Sequence, residues 1–105
     1  MFGLFRKNDI NAGVEECRST PGAVLLDVRT AEEFAGGHIP GSVNVPLDRL
    51  EQVARRAEKD TPLFVYCRSG ARSASAAAVL EQEGYGQVRN IGGIAAWRGP
   101  VEKGM

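Results

Sequence analysis

Leu63-Phe64-Val65-Tyr66-Cys67-Arg68-Ser69-Gly70-Ala71-Arg72-Ser73 is the stretch from which the fold follows. Its first four residues, entered through Pro62, are apolar without alternation, the mark of a strand covered on both faces. The polar, glycine-bearing segment after Cys67 ends that strand. From Ala71 to Glu83 the chain is alanine-rich and free of breakers until Gly84, so a helix follows, and its small side chains let it lie close against a sheet. Upstream, Ala23-Val24-Leu25-Leu26-Asp27-Val28 is a second nearly continuous apolar run. Val43-Asn44-Val45 is a brief strand stopped by Pro46, and Gln87-Val88-Arg89-Asn90-Ile91 is a further one.

Helical segments separate these strands. Ile10 to Arg18 follows Asp9 as N-cap and ends at the Thr20-Pro21-Gly22 turn. Thr30-Ala31-Glu32-Glu33 is a capping box that opens a short helix, closed by Gly36-Gly37. Leu47 to Lys59 is amphipathic, with Leu47, Leu50, Val53, Ala54 and Ala57 three or four residues apart. Ile94-Ala95-Ala96-Trp97 forms a last helical turn. Alternating strands and helices predict an α/β domain with a central, mostly parallel sheet flanked by helices on both faces.

The chain has 105 residues, which is one domain at roughly 100–200 residues each. Its core is expected over about residues 9–98, with a short N-terminal arm and a C-terminal tail from Pro100 to Met105. Phe2, Leu4 and Phe5 in the arm suit a sheet edge or a partner surface. Apolar residues make up 43% and charged residues 25%, the balance of an ordinary globular domain. Thirteen basic residues face thirteen acidic ones, so there is no surplus of positive charge to neutralise a nucleic-acid backbone. No apolar run reaches the ~18–20 residues that span a bilayer, and no secretory pattern is visible. Expected partners therefore include neither nucleic acid nor membrane, and the expected location is cytoplasmic. Two cysteines and one histidine are too few for a four-ligand zinc site, so neither metal nor other cofactor is expected.

In open parallel sheets, ligands bind beyond the carboxyl ends of the strands, which directs attention to the loop leaving Tyr66. Cys67 stands between a strand end and a helix start, where several N–H groups lack intrahelical partners. Those amides and the positive helix end favour an anion at the sulfur. Such surroundings lower a thiol pKa from ~8.5 toward ~3.5–7.5 and leave a nucleophilic thiolate at neutral pH. Gly70 lets the backbone curl into an anion-binding nest, and Arg68 and Arg72 add positive charge at the mouth. The competing reading is a buried Cys67 that only packs beneath the core strand. Arg68, Gly70, Arg72 and the helix start together favour chemistry: attack by Cys67 on an electrophilic centre carried by a small anion.

At this point the chain resembles the single-domain rhodanese-like sulfurtransferases. Leu26-Asp27-Val28-Arg29, Glu32-Glu33-Phe34, Gly37-His38-Ile39-Pro40-Gly41-Ser42 and Asn44-Val45-Pro46 resemble the family's first signature. Val65 to Ser73 resembles its active-site loop, and Gly92-Gly93 with Ala96-Trp97 its closing motif. The resemblance implies that Cys67 cycles between thiolate and persulfide. It would take a sulfane sulfur from thiosulfate or a similar donor and pass it to cyanide or a thiol. Arg68, Ser69, Gly70, Ala71, Arg72 and Ser73 would bind the anionic donor. A persulfide carrier serving a protein donor or acceptor is the second reading. A Cys-dependent phosphatase or arsenate reductase on the same fold is the third. The phosphatase pattern places five residues between Cys and Arg, whereas four separate Cys67 from Arg72 here and Ser73 takes the arginine's place.

Other residues carry blander expectations. Asp27 and Arg29 are expected chiefly as an internal ion pair at a strand end, with a secondary electrostatic bearing on the loop. His38 is expected to stabilise its turn, Trp97 to pack on the core, and Cys17 to be an incidental thiol. A Cys17–Cys67 bridge would need Cα atoms within about 7 Å.

Overall fold

Five buried residues in a row, Leu63 to Cys67, form the strand around which the rest of the chain is laid. The computed structural model describes residues 9–105. Its elements run α1 (Ile10–Ser19), β1 (Val24–Asp27), α2 (Ala31–Ala35), β2 (Val43–Asn44), a 3-10 helix (Leu47–Arg55), β3 (Leu63–Cys67), α3 (Ala71–Gln82), β4 (Val88–Gly93) and a 3-10 turn (Ile94–Ala96). The four strands form one sheet in the order β2-β1-β3-β4, and every neighbouring pair is parallel. Parallel neighbours cannot be joined by hairpins, so each connection crosses a face of the sheet.

Side chains alternate across a strand, and β3 shows why both faces are apolar. Leu63, Val65 and Cys67 join Leu26, Val28 and Val53 under Ala76 and Leu80 of α3. Phe64 and Tyr66 point the other way, among Leu25, Ile39, Ile91 and the α1 residues Ile10, Val14 and Cys17. Helices therefore cover both faces, as expected, and each large apolar side chain buried this way contributes about 1.5–3 kcal/mol. Among the described residues no helix is long and apolar enough to cross a membrane.

The helix starts follow their caps. The Asp9 carboxylate accepts from the N–H groups of Asn11 and Ala12 at 3.0 and 3.4 Å. Thr30 and Glu33 form both halves of the expected capping box. The expected helix over Leu47–Lys59 is instead a 3-10 helix that stops at Arg55, with Arg49 off helical geometry. Leu47, Leu50 and Val53 are three residues apart, a spacing that a three-residue turn keeps on one face. The C-terminal segment is also more than a tail: His38 and Glu102 exchange N–H···O bonds at 2.9 Å, and the Gly104 N–H donates to the Ala35 carbonyl at 2.8 Å. The expected N-terminal arm, with Phe2, Leu4 and Phe5, lies outside the described residues.

β4 extends two residues beyond the expected Ile91 and carries an irregularity. Val65 pairs with Asn90, but the next β3 residue, Tyr66, pairs with Gly92, so Ile91 is an extra residue in the ladder. The bulge turns the Gly92-Gly93 backbone toward the loop that follows β3.

Candidate active site

Cys67 closes β3, three residues form the connection, and α3 begins at Ala71. Gly70 precedes the helix with φ +105°, a left-handed conformation that other residues rarely adopt. This turn aims the Gly70 N–H back at the Cys67 sulfur, with N···Sγ 3.0 Å. The Ser73 hydroxyl, one turn into α3, lies 3.4 Å from the same atom. Cys67 is only 1% exposed, so the sulfur sits at the floor of the loop. Burial pushes the thiol pKa up, but hydrogen bonds from the Ser73 side chain and from the Ser73, Gly70 and Ser69 N–H groups outweigh it. The net displacement is downward, toward thiolate.

The closing glycines hold the loop from outside. An added Cβ on Gly93 would fall 2.1 Å from the Arg68 carbonyl oxygen, so hydrogen alone fits there. The Arg68 carbonyl accepts the Ala95 N–H at 3.1 Å. Asn90 adds a further clasp: its Oδ1 accepts from the Ser73 hydroxyl at 2.7 Å and its Nδ2 donates to the Gly70 carbonyl at 3.1 Å. No local sequence signal marks this role, since Asn90 stands 17 positions from Ser73 and 20 from Gly70.

The six expected substrate-binding residues fall into different surroundings. Arg68, Ser69 and Ala71 are exposed and Gly70 is half-buried. Ser73 is fully buried beside the sulfur rather than at the mouth. Arg72 is not a bare cation. Its guanidinium holds the Glu33 carboxylate in a fork, with contacts of 2.7 and 3.0 Å, which offsets its charge and ties α3 to α2. Glu33 is thereby held at about 2, chiefly by its hydrogen bonds from Arg72, with burial opposing and the Thr30 N–H assisting. The capping motif marks Glu33 for the helix start, and this second duty is not visible in it.

Asp27 and Arg29 form the expected internal ion pair at 2.7 Å, with Asp27 fully buried. Asp27 also accepts the Arg29 N–H at 2.9 Å, while Arg29 donates to the Gly37 carbonyl at 2.7 Å. Asn44 donates its side-chain amide to the carbonyls of Asp27 and Arg29 and so ties the end of β2 to the end of β1. His38 bonds the Phe34 carbonyl through Nδ1 at 2.9 Å and stacks on the Phe34 ring, a turn-stabilising arrangement. Trp97 packs against the cluster under α1. Cys17 lies in that same cluster, on the face opposite Cys67, and burial pushes its thiol up to about 11.

Residues 11–100 match the family model for the rhodanese-like domain. The chain belongs to the rhodanese-like family. It is 44% identical over 79 residues to a sulfurtransferase of Allochromatium vinosum, covering 74% of each chain. It is 42% identical over 78 residues to the thiosulfate sulfurtransferase GlpE of Pseudomonas savastanoi pv. phaseolicola, covering 73% of this chain and 74% of that one. A putative sulfur carrier protein of Bacillus subtilis, YrkF, is 37% identical over 79 residues, which are 74% of this chain but 43% of that protein. Among solved structures, a rhodanese with anions from E. coli superposes with a TM-score of 0.73 at 33% identity, covering 78% of this chain and 99% of that one. The parallel sheet and its helices are thus those of a rhodanese-like domain.

Proposed function

We propose that the chain is a sulfurtransferase that carries a sulfane sulfur on Cys67. The observation that carries this reading is the Cys67 sulfur, seated at the start of α3 and accepting the Gly70 N–H at 3.0 Å. In the first half-reaction the thiolate attacks the outer sulfur of a donor such as thiosulfate. The new Cys67 S–S bond forms as the donor S–S bond breaks, its electron pair leaving with sulfite. The persulfide keeps one negative charge, and the loop amides stabilise it as an oxyanion hole stabilises oxygen. In the second half-reaction cyanide or a thiolate attacks the outer sulfur and regenerates the Cys67 thiolate. Two half-reactions through a covalent intermediate give ping-pong kinetics. Arg68 is the exposed cation that draws the anionic donor, while the Glu33-paired Arg72 contributes less.

Ser73, where the phosphatase pattern has arginine, makes a tetrahedral phosphate a poor fit. The similarity to the putative sulfur carrier protein of Bacillus subtilis supports a second reading, in which the persulfide is handed to one protein partner. Both cysteines are free thiols, which suits a reducing compartment, and we assign the chain to the cytoplasm. Thiosulfate treatment should release sulfite and add about 32 Da, one sulfur, to the Cys67 peptide. Cys67→Ser should abolish both and Cys17→Ser neither. Turnover that survives in Cys67→Ser refutes the proposal. Ready loading with slow discharge to cyanide and small thiols selects the carrier reading. Hydrolysis of an aryl phosphate faster than thiosulfate turnover selects the phosphatase.

A further inference from the structure

Asn90 grips the Cys67 loop with both ends of its side-chain amide. Its Oδ1 accepts from the Ser73 hydroxyl at 2.7 Å and from the Gly92 N–H at 3.0 Å, and its Nδ2 donates to the Gly70 carbonyl at 3.1 Å. The partners fix which end is which. A backbone N–H only donates and a carbonyl only accepts, so the amide oxygen faces Gly92 and the nitrogen faces Gly70. The contact with Gly92 also belongs to the bulge, since the side-chain oxygen serves an N–H next to the extra residue Ile91.

Gly70 and Ser73 are also among the residues that bond the Cys67 sulfur, through the Gly70 N–H at 3.0 Å and the Ser73 hydroxyl at 3.4 Å. Each is therefore held from behind by Asn90 and meets the sulfur in front. The Ser73 hydroxyl has one proton and three acceptors in reach: Asn90 Oδ1 at 2.7 Å, the Gly70 carbonyl at 3.1 Å and Cys67 Sγ at 3.4 Å. Beside a neutral thiol the short bond to the amide oxygen is preferred. Beside a thiolate the charged acceptor draws the proton, because hydrogen bonds to ionised groups are roughly twice as strong. Asn90 then keeps its bond from Gly92, so turning the hydroxyl leaves the amide oxygen with a donor.

We propose that Asn90 is a positioning residue for Cys67, setting one fixed N–H and one rotating O–H on the sulfur in either of its charge states. This rests on the reading of Cys67 as the reacting thiol and adds the residue that governs how easily it ionises.

The test is the pH profile of iodoacetamide alkylation, read at the Cys67 peptide of the full chain, for wild type, Asn90→Ala and Asn90→Asp. Asn90→Ala should slow alkylation near neutrality roughly tenfold, one pKa unit, while the alkaline plateau stays within about twofold. Asn90→Asp is nearly isosteric and keeps the acceptor for Ser73 and Gly92. It loses the donor to Gly70 and brings negative charge, so its profile should move the same way. It decides the matter if the alanine variant does not fold. In a Ser73→Ala background the effect of Asn90→Ala should be at least as large, because the amide oxygen no longer competes with the sulfur for the hydroxyl proton and only the hold on Gly70 is lost. An unchanged midpoint in folded variants, or an equal loss of rate at every pH, overturns the proposal. Sulfite release is measured in parallel. A shifted midpoint without wild-type sulfur transfer removes the proposed function alone, whereas intact transfer with an unshifted midpoint removes this inference alone.

Discussion

Replacing Gly93 by alanine perturbs the Cys67 loop without touching the sulfur or any charge. The Gly93 backbone is extended, φ −127° and ψ 141°, so alanine meets no conformational strain there. Loss of a glycine from the unfolded chain is mildly stabilising, by about 0.4–1 kcal/mol. The steric term runs the other way and is larger. The new Cβ falls 2.1 Å from the Arg68 carbonyl oxygen and 2.6 Å from both the Arg68 carbonyl carbon and Ser69 Cα, against an ordinary contact of 3.4 Å or more. All three are backbone atoms, so no rotamer relieves the clash and the loop must retreat by about 1 Å. Overpacking of this kind costs about 1–3 kcal/mol of stability. The retreat also carries the Gly70 N–H away from its 3.0 Å bond to Cys67 Sγ. A hydrogen bond to a charged group is worth about 1.5–3 kcal/mol, which corresponds to a rise in the thiol pKa of roughly 1–2 units. Urea unfolding and the alkylation profile at Cys67 measure the two effects separately. Gly22→Ala is the control: it has φ +76° and open space around its Cβ, so it should lose roughly 1 kcal/mol and leave the thiol alone. A Gly93→Ala protein with the wild-type urea midpoint and the wild-type alkylation profile would refute the reasoning.

Two further outcomes follow from the ion pairs. Glu33 titrates at about 2 in the folded chain, below the ~4.3 of an unfolded glutamate, so its contribution is complete above ~4.3 and disappears as pH falls toward about 2. The pair is about one-third exposed, so wild type should exceed Glu33→Gln by no more than about 1 kcal/mol at neutral pH. A gap in urea midpoints that persists unchanged to the acid end contradicts this. Asp27→Ala leaves the Arg29 charge buried without its carboxylate and should cost about 3–5 kcal/mol, with Asp27→Asn milder. A urea-measured loss below about 1 kcal/mol for the alanine variant would show that Arg29 finds another partner.

The parts of the fold legible in the sequence are those where one residue pattern admits one geometry. The unalternating runs at Val24–Leu26 and Leu63–Tyr66 require cover on both faces, and both became inner strands. Thr30 and Glu33 at capping-box spacing mark a helix start, and one begins there. The segment from Leu47 is legible as helical but not as 3-10, since apolar residues at intervals of three or four fit either turn. The bridge between His38 and Glu102 left no trace because single backbone pairings carry no side-chain pattern. At the site, Cys67 and Gly70 were legible from their place between strand and helix. The sequence shows Arg72 only as a cation near the loop, because its partner Glu33 stands 39 positions away and local spacing does not encode such a contact. Asn90 was hidden for the same reason, 20 positions from Gly70 and 17 from Ser73.

The two thiols face opposite sides of the sheet, one under α1 and one beneath α3. A disulfide requires Cα atoms within about 7 Å, so joining Cys17 to Cys67 would demand that the backbone come apart. A sulfenic acid formed on Cys67 by peroxide would therefore find no internal thiol to condense with, since these are the only cysteines in the chain. Repair of such damage falls to a thiol from another molecule, and without one the oxidation proceeds to the irreversible acids.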